Sequence, residues 1–198
     1  MEGHETEYQL KVVEKVGKLG CCTTNLSEIK FSEINLREAS LDKANFKKAN
    51  LLRADLMGAN LREANFEEAN LKEAHLEMAH LEKANLTRAN LRGAYLPRAQ
   101  INEAKMINTH LEGAKLVKAH LEGANLAGSF LFMANIEGAY LAGANLKMAN
   151  LEDANLRGTH HLTIDQLSEV KTLHNAKLDR ELFMSLKVKY PALFDVPA

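Results

Sequence analysis

The 198-residue sequence predicts an all-β chain wound as a solenoid of square cross-section, about seven coils long, with short helices at both ends. Three observations predict it: an unbroken five-residue period, glycines held to one phase of that period, and outward charges that alternate in sign every twenty residues.

The period runs from Thr24 to Gly158 without insertion. It has 27 large apolar centres, of which 21 are Leu, 3 Phe, 2 Ile and 1 Met, beginning at Leu26, Phe31, Leu36, Leu41 and Phe46 and ending at Leu151 and Leu156. Two residues before each centre stands a small residue, Ala in 22 of 27, and the residue between them is Asn or Asp in 15. A helix is excluded despite the Leu and Ala content, because five residues advance roughly 500° and successive centres would step around the axis. A straight strand is excluded because five is odd, so the apolar pair would change face in every pentad. What remains is a short extended piece, with small and large residues both inward, followed by a corner.

Glycine marks the corner. Of 11 Gly, 8 fall on the second position after the centre, among them Gly58, Gly93, Gly128 and Gly158, where a turn with positive φ is tolerated at low steric cost. Charge gives the number of corners per coil, since residues stacked one strand spacing apart favour opposite signs. In the two outward slots after each centre, pairs twenty residues apart are 13 opposite to 2 alike, against 11 to 5 at fifteen, 7 to 9 at ten and 9 to 8 at five. Four pentads therefore make one coil, with ladders such as Lys43, Glu63, Lys83, Glu103 outside and Phe46 under Phe66 inside.

The tandem Ala-(Asn/Asp)-Leu-X-X pattern, as in Ala44-Asn45-Phe46-Lys47-Lys48 and Ala59-Asn60-Leu61-Arg62-Glu63, resembles the pentapeptide-repeat family over about two-thirds of the chain. The resemblance implies a right-handed quadrilateral parallel β-helix.

Three segments are expected: an amino-terminal cap over 1–23, the solenoid over 24–160 and a helical cap over 161–198. Thr6-Glu7-Tyr8-Gln9 has capping-box spacing and opens an expected helix over 7–17. Cys21 takes the phase of an inward centre and Cys22 points outward; the adjacent pair reads as ordinary packing in a reducing, cytoplasmic setting. After His160 and His161, Thr163-Ile164-Asp165-Gln166 opens a helix over 164–171. Asp179 precedes a second over 180–190, with Leu182, Phe183, Leu186 and Tyr190 on its apolar side, ended by Pro191. Leu173 and Leu178, between them, are expected to add a partial layer.

Composition narrows the function. With 25 basic and 26 acidic residues and 46% apolar content, the chain is neither a polyanion nor a disordered acid, and no run of apolar residues would span a membrane. No phosphate loop, nucleophile elbow or separate carboxylate pair is present, so no enzymatic activity and no cofactor are expected. His75, His80, His110, His120 and His160 occupy the slot usual for Asn. Those on one face are two coils apart, about 9.6 Å, and no shared metal is expected.

Some members of the resembling family mimic duplex DNA and bind type II topoisomerase, the quinolone-resistance type. That role requires a strongly negative surface, whereas residues 24–160 carry 17 basic and 17 acidic side chains. Mimicry is the alternative, and nucleic acid itself is not an expected partner. The leading reading is a rigid scaffold for protein–protein contact. Its candidate patch is Ile107, Phe130, Phe132, Met133, Tyr140 and Met148, where apolar side chains replace the repeat's polar ones and would meet a protein partner or a second copy.

Overall fold

The computed structural model describes residues 25–196; the expected helix over 7–17, Cys21 and Cys22 lie outside the described residues. From Asn25 to His160 the residue before each centre forms a parallel β-bridge with the residue twenty positions on, starting at Asn25 with Asn45 and ending at Tyr140 with His160. Four columns result. The first side carries Asn25 through Lys105 to Asn145, the second Lys30 through Phe130 to Asn150, the third Asn35 through Tyr95 to Asn155, and the fourth Ser40 through Tyr140 to His160.

In the pentad from Asn50 to Ala54 every backbone N–H is bonded. The Asn50 N–H donates one coil back to Ile29 O at 2.7 Å, and the Leu51 and Arg53 N–H groups donate one coil forward to Asn70 O and Lys72 O at 2.7 and 2.9 Å. The Ala54 N–H closes the turn on Leu51 O at 3.0 Å. The remaining Leu52 N–H donates to the Asn50 side chain at 3.3 Å. This is why Asn and Asp dominate the slot: the side chain caps the following turn. The Asn amide then donates along the column, as from Asn70 to Asn50 at 2.9 Å and from Asn65 to Asn45 at 3.3 Å.

The turn has its third residue in the left-handed region, the geometry that selects glycine. All eight glycines of that phase have φ between 64° and 68°. Where glycine is absent, Glu, Lys, Arg, Met, Asn or Asp adopts the same conformation, as Lys43 at 58° and Met133 at 56° do. The left-handed conformation costs such residues on the order of 1 kcal/mol. The backbone bonds on both sides hold it.

The interior is filled by the small and central residues. Ala84, Leu86, Ala124 and their equivalents are fully buried, and the Phe46 and Phe66 rings stack at 4.9 Å with 3° between planes. Among the described residues two fully buried inward positions of the repeat are hydroxyls. Thr109 donates to Leu86 O at 2.7 Å, whereas the Ser129 hydroxyl, fully buried, has no hydrogen-bond partner.

At the carboxyl end two columns continue with a two-residue slip, Asn150 bridging Thr172 and Asn155 bridging Lys177. Leu173 and Leu178 are buried there as an added layer. Helix α1 (Ile164–Ser168) opens with the expected capping box of Thr163 and Gln166. Gln166 also donates to the carbonyls of Leu141 and Ala144, both at 2.8 Å, covering the rim of the last coil. The sequence places this helix over 164–171, and it ends three residues earlier. Glu169 O accepts from the Met148 N–H and the Lys171 N–H donates to Ala149 O, so pairing with the last coil outcompetes the next helical turn.

Helix α2 (Arg180–Lys189) follows Asp179, whose carboxylate accepts the Gly158 N–H at 3.0 Å rather than capping its own helix. Leu186 is fully buried and Leu182 packs against the core, but Phe183 and Tyr190, placed on the apolar side by the sequence, are exposed. Residues Pro191–Phe194 form a 3-10 turn, and Leu193 O accepts from the Leu173 N–H.

Candidate functional site

The outward slots distinguish one stretch of the solenoid from another. Up to Arg92 most bases are paired along the columns, as Lys47 is with Glu67 at 3.0 Å, Arg62 with Glu82 at 2.9 Å, and Arg92 with Glu112 at 3.0 Å. Of the ladder read from the sequence, Lys43–Glu63 and Lys83–Glu103 stand at 3.9 and 3.8 Å, and Glu68 lies between Lys48 and Arg88 at 3.9 and 3.8 Å. The hydrogen bond from Arg53 holds the Glu73 carboxyl below the ordinary carboxylate range. Burial pushes the Glu112 carboxyl up, but the His110 ring, a backbone N–H and the charge of Arg92 together outweigh it and lower it.

Beyond Arg92 no lysine or arginine among the described residues has an acid within ion-pair distance. Here the six candidate residues stand on three successive coils. Ile107 lies at the corner after the first side, and Met148 at the same corner two coils on. Phe130 is on the second side, and Phe132 and Met133 form the corner that follows it. Phe130, Met133 and Met148 are 39%, 60% and 57% exposed, while Ile107 and Phe132 are half-buried. The structure thus brings Phe130, Phe132, Met133 and Met148 to one side and its two flanking corners.

Tyr140 does not join them. Ten residues are two pentads, half the circuit of a four-sided coil, so Tyr140 stands on the side opposite Phe130. There its ring is stacked between His120 at 4.6 Å and His160 at 4.5 Å. Phe130 stacks on His110 at 4.7 Å with its other neighbour in the column, Asn150, offering no ring. Replacing Asn by an aromatic also removes the acceptor for the next turn, so the Phe132 N–H lacks the bond that Leu52 makes.

The ring columns were not foreseen from the sequence. The signal was present: His120, Tyr140 and His160 share a twenty-residue spacing. His80 and His120 are separated by Gln100 in the fourth column, and His80 and His120 each face a glutamate, Glu82 at 3.4 Å and Glu122 at 3.2 Å. Among the described residues no three His, Cys, Asp or Glu side chains converge as a metal-binding set, and no helix is long and apolar enough to cross a membrane.

A chain coiled on parallel bridges at a constant twenty-residue register, with its small and large apolar residues inside, is a β-solenoid repeat protein. Two family models match it, "Pentapeptide repeat region" over residues 29–106 and "Pentapeptide repeats (8 copies)" over 94–131 and 133–160. The chain belongs to the pentapeptide-repeat family, whose known structures are right-handed quadrilateral β-helices. Both models describe repeats and neither describes an enzymatic domain.

Among solved structures it is similar to HetL of the cyanobacterium Nostoc sp., a pentapeptide-repeat protein involved in regulating heterocyst differentiation, at 29% identity over 78% of each chain with a TM-score of 0.33. QnrB1, a plasmid-mediated fluoroquinolone resistance protein, matches at 20% identity over 89% of this chain and 91% of its own, TM-score 0.44. A pentapeptide-repeat protein of the Arabidopsis thaliana thylakoid lumen matches at 25% identity over 67% of this chain and 68% of its own, TM-score 0.18. No curated protein sequence matches the chain.

Proposed function

We propose that the chain is a non-enzymatic, rigid scaffold for protein–protein contact. In this reading a solenoid of about seven coils over 24–160 is closed by helical end-pieces over 1–23 and 161–198. It presents Phe130, Phe132, Met133 and Met148 to a partner protein or to a second copy of itself, in a cytoplasmic setting. One observation carries it: Met133 and Met148 are more than half exposed, with Phe130 beside them, in slots where the repeat otherwise places mostly charge or glycine. Packing does not require these side chains, and clustered aromatic and Met residues are common interface anchors.

The quinolone-resistance type of mimicry finds no support in the charge arrangement. Many acids of the amino-terminal coils are neutralised in place by bases one coil away, as Glu82 is by Arg62 and Glu112 by Arg92. Among the described residues these pairs interrupt the rows of acids that a phosphate-binding partner would need.

The test is Phe132→Ser with Met133→Ser, compared with the parent by sedimentation and by capture from native lysate. The double variant is expected to melt within about 1 kcal/mol of the parent and to lose self-association or a specific captured partner. A variant that unfolds, or one that folds and loses nothing, removes this surface from the reading.

A further inference from the structure

The charge ladders contain two exceptions. Of the fifteen charged pairs stacked twenty residues apart in the outward slots, thirteen are opposite in sign, and only Lys72 with Arg92 and Arg98 with Lys118 are alike. The first exception is relieved: Lys72 lies 3.5 Å from Glu73 and Arg92 lies 3.0 Å from Glu112. The second is not, for neither Arg98 nor Lys118 has an acid within ion-pair distance among the described residues.

The surroundings keep that pair bare. One coil beyond Lys118, the Glu137 carboxylate accepts a hydrogen bond from the Asn155 amide at 2.9 Å and forms no pair with either base. Gly138 leaves Lys118 its place, since a Cβ there would stand 3.3 Å from the lysine Cγ. On the third side a further cation, Lys115, sits with its Nζ 5.5 Å from the centre of the Tyr95 ring. All three bases border a depression of about 410 Å³, walled by Tyr95, Pro97 and Val117, with Glu77 also on its lining. Two stacked like charges cost stability in a ladder where alternation was available, so a role other than stability is called for.

We propose that this depression binds the dianionic phosphate of a monoester. Three cations against one carboxylate leave two positive charges, which match a phosphate monoester carrying close to two negative charges at pH 7. Arg98 offers a planar fork to two phosphate oxygens, and Lys115 and Lys118 supply point charges beside it. Tyr95, Pro97 and Val117 give the ester's apolar part a wall. Glu77 repels the anion and lowers affinity for it. The monoester can be a small molecule or a phosphorylated side chain, since both present the same group. The site lies apart from the Phe130 surface, on a different side and corner of the coil.

The test uses the full chain, titrated at low salt with phenyl phosphate, and in parallel with a phosphotyrosine peptide and its unphosphorylated form, followed by NMR or calorimetry. Saturable one-to-one binding of phenyl phosphate is expected, weakened about tenfold by Arg98→Ala and by Lys118→Ala. Glu77→Gln should tighten it. Lys147→Ala, which removes a base outside the depression, should leave it unchanged. Arg98→Glu gives Lys118 an opposite-sign neighbour, so it should raise the melting temperature while abolishing binding.

A phosphopeptide that binds tighter than phenyl phosphate assigns the protein source, and equal or weaker binding assigns the small molecule. The proposal is overturned if phenyl phosphate does not saturate, if Arg98→Ala binds like the parent, or if Lys147→Ala weakens binding as much as Arg98→Ala does.

Discussion

The coils before Glu103 and those after it are wound on the same backbone and finished differently. In the first stretch the outward side chains hold one another, through Asn columns such as Asn25–Asn45–Asn65–Asn85 and through ion pairs such as Arg53–Glu73 at 2.7 Å. In the second, Lys105 interrupts the Asn column, His110 with Phe130 and His120 with Tyr140 are ring stacks, and Met133 and Met148 stand in water. At their alanine positions the cores are alike, since Ala84 and Ala124 are both fully buried beside Leu centres, while the inward hydroxyls Thr109 and Ser129 both stand in the second stretch. The difference teaches that interior and surface are largely separately specified here: the two inward residues in five fill the coil, and the outward slots can carry pairing or contact.

The largest effects should show that the cores are alike. Ala84→Leu and Ala124→Leu each insert volume into the filled tube, and each is expected to cost on the order of 1 to 3 kcal/mol, equally in both stretches, by denaturant unfolding. A cost confined to one stretch would break the claim of a common core.

Intermediate effects belong to the second stretch alone. Ser129→Ala removes a buried hydroxyl that has no partner and should stabilise by about 1 kcal/mol. Phe130→Asn restores both the acceptor for the Phe132 N–H and an amide beside Asn150, and should stabilise by about 0.5 to 1.5 kcal/mol while weakening partner capture. If it stabilises and capture persists, Phe130 is not part of the contact surface.

Smaller effects belong to the first stretch. Lys83→Ala removes an exposed partner of Glu103 and should cost under about 1 kcal/mol, with the cost shrinking further in high salt. Glu112, at the boundary, has a folded-state carboxyl lowered by His110 and Arg92. Its contribution to stability is therefore present above the unfolded carboxylate range and is lost as pH falls through its lowered folded value. A melting-temperature series from neutral to acid pH should fall less steeply in Glu112→Gln than in the parent, and identical slopes would remove Glu112 from the pH response.

The five-residue period, the inward pair and the twenty-residue register were legible in the sequence because each repeats many times. A single misread pentad changes nothing when the neighbours at Leu81, Leu86 and Leu91 point the same way. The positive-φ turn was legible at its eight glycines and hidden at Lys43 or Met133, because those residues do not prefer the conformation and take it only when bonded from both sides. Of the candidate surface, the apolar departures at Phe130, Phe132, Met133 and Met148 could be read from the slots they occupy. That Tyr140 faces away from them follows only when the pentads are counted around the square.

The sequence by itself determined the repeat, the filled interior and the sign pattern of the ladders, because all three are periodic and local chemistry enforces them at every turn. Tertiary structure decided the rest. It fixed which charges meet, leaving Glu137 with Asn155, and Arg98 and Lys118 with no acid within ion-pair distance among the described residues. It ended helix α1 at Ser168 and turned Asp179 toward Gly158, because the unpaired edge of the last coil offers the tail stronger hydrogen-bond partners than its own helices do.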